Sequence, residues 1–168
     1  MGIEVVFDQS EEAVVVKAAV LTMASPVFDR MLCQEMQENK SGRIILKGKD
    51  PKEFETLVSF LLPGSSRLQK VTTENVDFLL KWSDEYCIDA LKAECLEFVK
   101  TQPASVKGVH LASTYGMVEP LEEWIDELLE QGVYDWRLCY NDMKLMRMVL
   151  ERSLLQLQKV KPPKSKAW

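Results

Sequence analysis

The sequence predicts an α+β fold: a small three- to four-stranded sheet flanked by helical hairpins, followed by an all-α extension. Three observations predict it. Short β-rich runs stand in the first third of the chain, at residues 3–7, 13–17 and 43–47. Between and after them, apolar residues recur at helical spacing. From Pro103 onward every segment reads as helix.

Each element has a local reason. Residues 8–12 (DQSEE) join the first two strands as a hairpin connection. Residues 18–24 are helical in composition, and Ser25-Pro26 breaks and restarts the helix, with Ser25 as cap and Pro26 in the first turn. Val27, Phe28, Met31, Leu32 and Met36 follow at helical spacing, residues 39–42 are a polar loop, and residues 43–47 (RIILK) are the third strand. Asp50-Pro51-Lys52-Glu53 resembles a capping box, Phe54, Leu57, Val58 and Leu61 form the buried stripe behind it, and Pro63-Gly64 ends the helix. An extended piece at 67–71 is a candidate fourth strand. Thr72 or Thr73 starts the next helix, with Val76, Leu79, Leu80 and Ser83 on one face. Asp89 caps another, with Leu91, Cys95, Phe98 and Val99 inside.

The extension begins with a helix over about 105–115. A second helix opens at Glu119-Pro120, carries Leu121, Trp124, Ile125, Leu128 and Leu129, and stops at Gly132. Asp135 caps a short turn with Trp136. The last helix, over about 142–160, carries an apolar stripe of Met143, Met146, Val149, Leu150 and Leu157, read as core or partner-facing groove. A weak internal repeat sets residues 82–88 (WSDEYCI) beside 111–117 (LASTYGM); each reads as a helix, a tight bend and a second helix.

Composition narrows the function. At 168 residues, 46% apolar and 28% charged, the chain is long enough to bury roughly 70% of its extended surface. It is neither disordered, collagenous nor a disulfide scaffold. The net charge is −5, and since residues 157–168 hold four lysines and no acid, the remainder carries −9. An acidic body argues against nucleic-acid binding, which needs a basic footprint. No apolar run approaches the roughly 18 residues of a membrane helix. No basic, apolar leader opens the chain, so an intracellular, cytoplasmic or nuclear, location is expected. Cys33, Cys87, Cys95 and Cys139 are scattered without a CxxC and read as buried reduced thiols; with His110 the only histidine, no zinc ligand set forms. Phosphate-cradling, metalloprotease and serine-hydrolase motifs are absent. No catalysis and no cofactor are expected.

One ordered set of residues carries a resemblance. Val20-Leu21 precedes Ser25-Pro26-Val27-Phe28-Asp29-Arg30-Met31-Leu32, and Arg43-Ile44-Ile45-Leu46 follows. Next come Phe54-Glu55, then Phe60-Leu61-Leu62-Pro63-Gly64, then Thr73-Glu74-Asn75-Val76, Leu79-Leu80 and Asp84-Glu85-Tyr86. In order and spacing this resembles the BTB/POZ domain over residues 3 to about 101. The later helices resemble the BACK or 3-box extension. The domains expected are therefore 1–102 (BTB/POZ), 103–160 (helical extension) and 161–168 (flexible basic tail).

The resemblance implies a protein-interaction module and no enzyme. Its adaptor branch recruits targets to a cullin-3 RING ubiquitin ligase through a hydrophobic residue, any residue and a glutamate after the first helical hairpin. Met36-Gln37-Glu38-Asn39 stands at that place, so Met36, Gln37, Glu38 and Asn39 are the expected contacts with the cullin-3 N-terminal domain. An unbranched methionine can fill an apolar pocket, and a glutamate at its rim can accept charge-assisted hydrogen bonds. Leu62 is a further cullin-facing position, although Leu62 and Pro63 replace the family's tyrosine and threonine. An unknown protein substrate is assigned to the extension, at Trp124, Trp136, Met143 and Met146. The alternative is a scaffold or oligomerisation module binding itself or other BTB domains, or a transcription-regulatory interaction protein without a ligase role. Gly2 and Lys17-Ala18 depart from the charged pocket of the repressor branch. The chain starts directly on the first core strand, so a monomer or a different self-association surface is expected.

Overall fold

The computed structural model describes residues 2–8, 12–32, 42–64 and 69–159. The chain divides into two compact units, Met1–Val99 and Lys100–Trp168.

In the first unit, β1 (Gly2–Phe7) pairs antiparallel with β2 (Ala13–Lys17) and parallel with β3 (Arg43–Leu46), in the order β2-β1-β3. Strand alternation sends Ile3, Val5 and Phe7 inward, beside Ile44 and Leu46. The register sets Val5 against Ile44 and Phe7 against Leu46, while Glu4 and Arg43 pair at 3.3 Å on the outer face. A parallel partner needs a long crossover. It includes α1 (Ala18–Ala24) and α2 (Pro26–Met31). Among the described residues the sheet has three strands; residues 69–72 are not strand, so the described part of the candidate fourth does not form.

Capping follows the sequence closely. Ser25 Oγ accepts from the Phe28 amide at 3.1 Å, with Pro26 in the first turn of α2. Asp50 Oδ1 accepts from the Lys52 and Glu53 amides at 2.7 and 3.1 Å, opening α3 (Pro51–Leu61). The reciprocal half of the capping box is redirected: the Glu53 carboxylate accepts from the Trp82 indole at 3.0 Å. α4 (Val76–Glu85) starts later than expected, because Asn75 Oδ1 accepts from the Thr72 amide and ties residues 73–75 into a turn. Asp89 is the first residue of α5 (Asp89–Thr101), which buries Leu91, Cys95 and Val99 and leaves Phe98 half-buried.

The core of this unit is aromatic. Phe28 stacks on Tyr86 at 4.4 Å, Tyr86 on Trp82 at 5.2 Å, and Phe54 meets Phe7 edge-on at 5.7 Å. Such pairs add about 0.5–1.5 kcal/mol beyond area burial. The Lys49 ammonium lies 4.8 Å over the Trp82 ring and pairs with Glu85.

In the second unit, α6 (Val106–Thr114) is capped by Ser105, which accepts from the Gly108 amide at 3.0 Å. α7 (Val118–Glu130) buries Trp124, Ile125, Leu128 and Leu129. A 3₁₀ turn at Arg137–Cys139 follows, with Asp135 accepting from the Arg137 amide. α8 (Met143–Lys159) is capped by Asp142, whose Oδ1 accepts from the Leu145 amide at 2.9 Å. Arg152 of α8 bridges Glu122 and Asp126 of α7. The stripe expected on α8 divides, with Val149 inside as core and the remainder wholly or partly outside. Leu145 and Val149 are buried, whereas Met143, Leu150 and Leu157 are exposed and Met146 is half-buried. The apolar positions of α8 form two stripes, and periodicity alone does not say which one faces the core.

The two segments of the internal repeat close their first helix in the same way, which is also the ending of α7 at Gly132. In each copy the last turn closes with the same two hydrogen bonds: Cys87 N–H to Asp84 C=O and Ile88 N–H to Ser83 C=O, then Gly116 N–H to Ser113 C=O and Met117 N–H to Ala112 C=O. This is the Schellman ending, with a left-handed residue after the helix. Gly116 occupies it at φ 69° and Cys87 at φ 52°.

Candidate functional site

Met36, Gln37, Glu38 and Asn39 lie outside the described residues, as do Cys33 and the tail at 161–168. What is described are the two elements that flank them in sequence. α2 ends at Met31, and β3 begins at Arg43. α2 is held at its start by Ser25, whose hydroxyl also donates to the Tyr86 carbonyl, and in its middle by Phe28, which has no solvent exposure.

Leu62 caps the end of α3 in an extended conformation and is 46% exposed. Its neighbours Leu61 and Pro63 join Ala19, Val20, Met23 and Ala24 of α1 around a depression of about 290 Å³. α1 carries no charged residue, and Met23 stands 88% exposed at the edge of the depression. This is an apolar surface suited to another protein rather than to a polar small molecule. The sequence offered Leu62, but not Met23: the Ala-Ala-Val-Leu-Thr-Met-Ala run reads as an ordinary core helix.

In the second unit the assignment of Trp124 and Trp136 to a partner surface is corrected. Trp124 is 8% exposed and Trp136 4%. Trp124 lies across Gly108 of α6, where an added Cβ would meet its ring at 3.3 Å. Trp136 turns its indole N–H to the Val133 carbonyl at 3.2 Å. Both are packing residues, and the indole N–H of Trp136 has a main-chain partner. Met143 is exposed and Met146 half-buried. Among the described residues of this unit the exposed aromatic side chains are instead Tyr134 and Tyr140, with Leu138 between them in sequence.

A second depression, of about 240 Å³, is lined by Met117, Leu121, Leu145 and Met148 with Ser113 and Asp142 at its polar side. The Ser113 hydroxyl donates to Asp142 at 2.5 Å, and this bond is the leading reason that the carboxyl is held below the ordinary aspartate range. The pair ties α6 to the start of α8.

The cysteines separate by environment. Burial pushes the Cys95 thiol up to about 12 and raises that of Cys139. Cys87 is exposed, against the expectation that it is buried, because the left-handed turn points it out of the helix face. Among the described residues no three His, Cys, Asp or Glu side chains converge as a metal site. No helix among them is long and apolar enough to cross a membrane.

Comparison with known proteins agrees with this architecture. The BTB/POZ domain family matches residues 3–103. Kelch-like protein 7 of Mus musculus, of Gallus gallus and of Homo sapiens are each 32% identical over 99 residues, which is 59% of this chain and 16% of theirs. The chain thus matches only a small part of the length of these relatives.

Proposed function

The chain belongs to the BTB/POZ domain family, and from that membership we propose that it is an adaptor recruiting protein targets to a cullin-3 RING ubiquitin ligase. The family is a non-enzymatic interaction module, so the chain works by binding. The observation that carries the finer reading is the sequence Met36-Gln37-Glu38-Asn39 between α2 and β3, with Met36 and Glu38 in the adaptor pattern. Met36 supplies the apolar anchor and Glu38 the polar rim, the arrangement in which a few residues carry most of the binding energy. Exposed Leu62 is a second contact. Catalysis belongs to the recruited ligase. The target is assigned to what the second unit exposes, Tyr134, Leu138 and Tyr140, in place of the buried tryptophans. The proposal locates the chain in the cytoplasm or nucleus.

The test is calorimetric titration of the full chain with the cullin-3 N-terminal domain, beside a Met36→Ala, Glu38→Ala double variant of unchanged melting temperature. Submicromolar binding, weakened by about 2 kcal/mol or more in the double variant, supports the reading. A parent that does not bind ends it.

The apolar face of α1 favours a second reading, a scaffold that assembles with other BTB domains. Met23, Leu61 and Pro63 would then be the contact, and Met23→Glu would abolish assembly while leaving cullin binding intact.

A further inference from the structure

We propose that the outward face of α8 is a seam on which a second copy of this chain packs, antiparallel, about a two-fold axis. Met143, Leu150, Leu154 and Leu157 are 78%, 59%, 59% and 69% exposed. With Arg147 they fall at positions 143, 147, 150, 154 and 157, steps of four and three that place all five on one face. Leu145 and Val149 occupy the opposite face and are buried. The outward stripe is therefore not the core-facing side of the helix. It is narrow and has the spacing of a coiled-coil seam.

The seam selects its own partner. Arg147 is its one charged member, and its guanidinium pairs with Glu151 a turn later at 2.8 Å. A parallel pairing would oppose Arg147 to Arg147 in a desolvated seam. An antiparallel pairing centred near Leu150 sets Arg147 beside Glu151 and Leu154 of the second copy, and Met143 beside its Leu157. Each copy brings one cation and one anion at the required offset, so the face is self-complementary, as a two-fold contact demands. The helix is about 25 Å long. Four such side chains present on the order of 500 Å² of apolar surface, as large as the largest patches on monomers. Two copies together bury about 1,000 Å², the lower end of specific interfaces, which fits a dimer of micromolar strength.

Sedimentation equilibrium of the full chain tests this, with three variants. The parent is expected to dimerise between about 1 and 100 µM. Leu154→Asp, at an exposed position that leaves folding intact, should weaken dimerisation at least tenfold. Arg147→Glu and Glu151→Arg each break the contact in their own homodimer, whereas a mixture of the two restores both charge pairs between copies. The mixture should associate at least tenfold more tightly than either variant alone. Because neither variant regains the ion pair within its own helix, restoration reads the contact between copies. A parent that stays monomeric, a Leu154→Asp variant that associates unchanged, or a mixture no tighter than its components would each overturn the proposal.

Discussion

The hydroxyl of Ser25 donates to the main-chain carbonyl of Tyr86, 61 residues away, at 2.5 Å, while it accepts the Phe28 amide at 3.1 Å. One buried side chain thus starts α2 and ties it to the end of α4. The same contact brings Phe28 and Tyr86 into stacking at 4.4 Å. Ser25→Ala removes a helix cap, worth about 1 kcal/mol, and strands a buried carbonyl, worth about 1–3 kcal/mol. A total loss of about 2–3 kcal/mol is expected from urea unfolding followed by tryptophan fluorescence. A loss below about 0.5 kcal/mol would mean that the two helices are held by stacking alone.

Cys87 occupies a backbone conformation that its counterpart Gly116 adopts freely. A side chain in the left-handed region costs roughly 1 kcal/mol. Cys87→Gly is therefore expected to stabilise the first unit by up to about 1 kcal/mol, an increase in melting temperature of about 4 °C. Gly116→Ala is expected to do the opposite in the second unit, although nothing lies within 4 Å of the added Cβ. Equal melting temperatures for parent and Cys87→Gly would show that the turn carries no strain.

The first unit was largely legible. Ser25-Pro26 and Asp50-Pro51 are caps whose side-chain chemistry acts locally, so sequence alone places the starts of α2 and α3. The alternation of Ile3, Val5 and Phe7 likewise gives the buried face of β1 directly. The failures have one cause, competition between surfaces that sequence does not rank. Trp124 and Trp136 look like partner-facing aromatics until Gly108 and the Val133 carbonyl are seen to receive them. In α8 two apolar stripes compete, and the choice of Leu145 and Val149 is made by tertiary packing. Glu53 reads as half of a capping box, but Trp82, 29 residues on, takes its carboxylate.

That contact is itself testable. Glu53→Ala leaves the buried Trp82 indole N–H without its partner, at a cost of about 1–3 kcal/mol. Glu53→Gln keeps an acceptor oxygen and should recover at least half of the loss. Equal losses for the two would assign the effect to the carboxylate charge instead.

The thiols and Tyr86 give an alkaline signature. Desolvation, with Glu85 adding to it, raises the Tyr86 hydroxyl to about 12 from its ordinary 10.0. Below pH 10 the group is protonated in both folded and unfolded chains, and its contribution is complete. As pH rises from 10 towards 12 only the unfolded chain ionises, so stability falls. Absorbance titration at 295 nm should show a phenol ionising near pH 12 that is missing from Tyr86→Phe, and the same variant should lessen the loss of stability above pH 10. At pH 8, Ellman's reagent should modify Cys87 in the folded chain and reach Cys95 and Cys139 only on unfolding. Reaction of Cys95 at the rate of Cys87 would contradict the burial that raises it.

The acid limb rests on Asp142. The Ser113 hydroxyl first, then the Leu145 amide, hold its carboxyl below the usual aspartate range. A depressed carboxyl stabilises the fold above its unfolded pKa, and that contribution is lost as pH falls through the folded value. The second unit should therefore weaken below about pH 4. Ser113→Ala removes the leading cause while leaving the cap of α8 in place. Its stability deficit should be largest near neutral pH and shrink as pH falls through the folded value of Asp142, below which the carboxyl is protonated in both proteins. Asp142→Asn removes the charge and should abolish the part of the acid limb that Asp142 supplies. Denaturant midpoints measured from pH 3 to 7 distinguish the two, and a Ser113→Ala deficit independent of pH would assign the hydroxyl to packing rather than to the charge on Asp142.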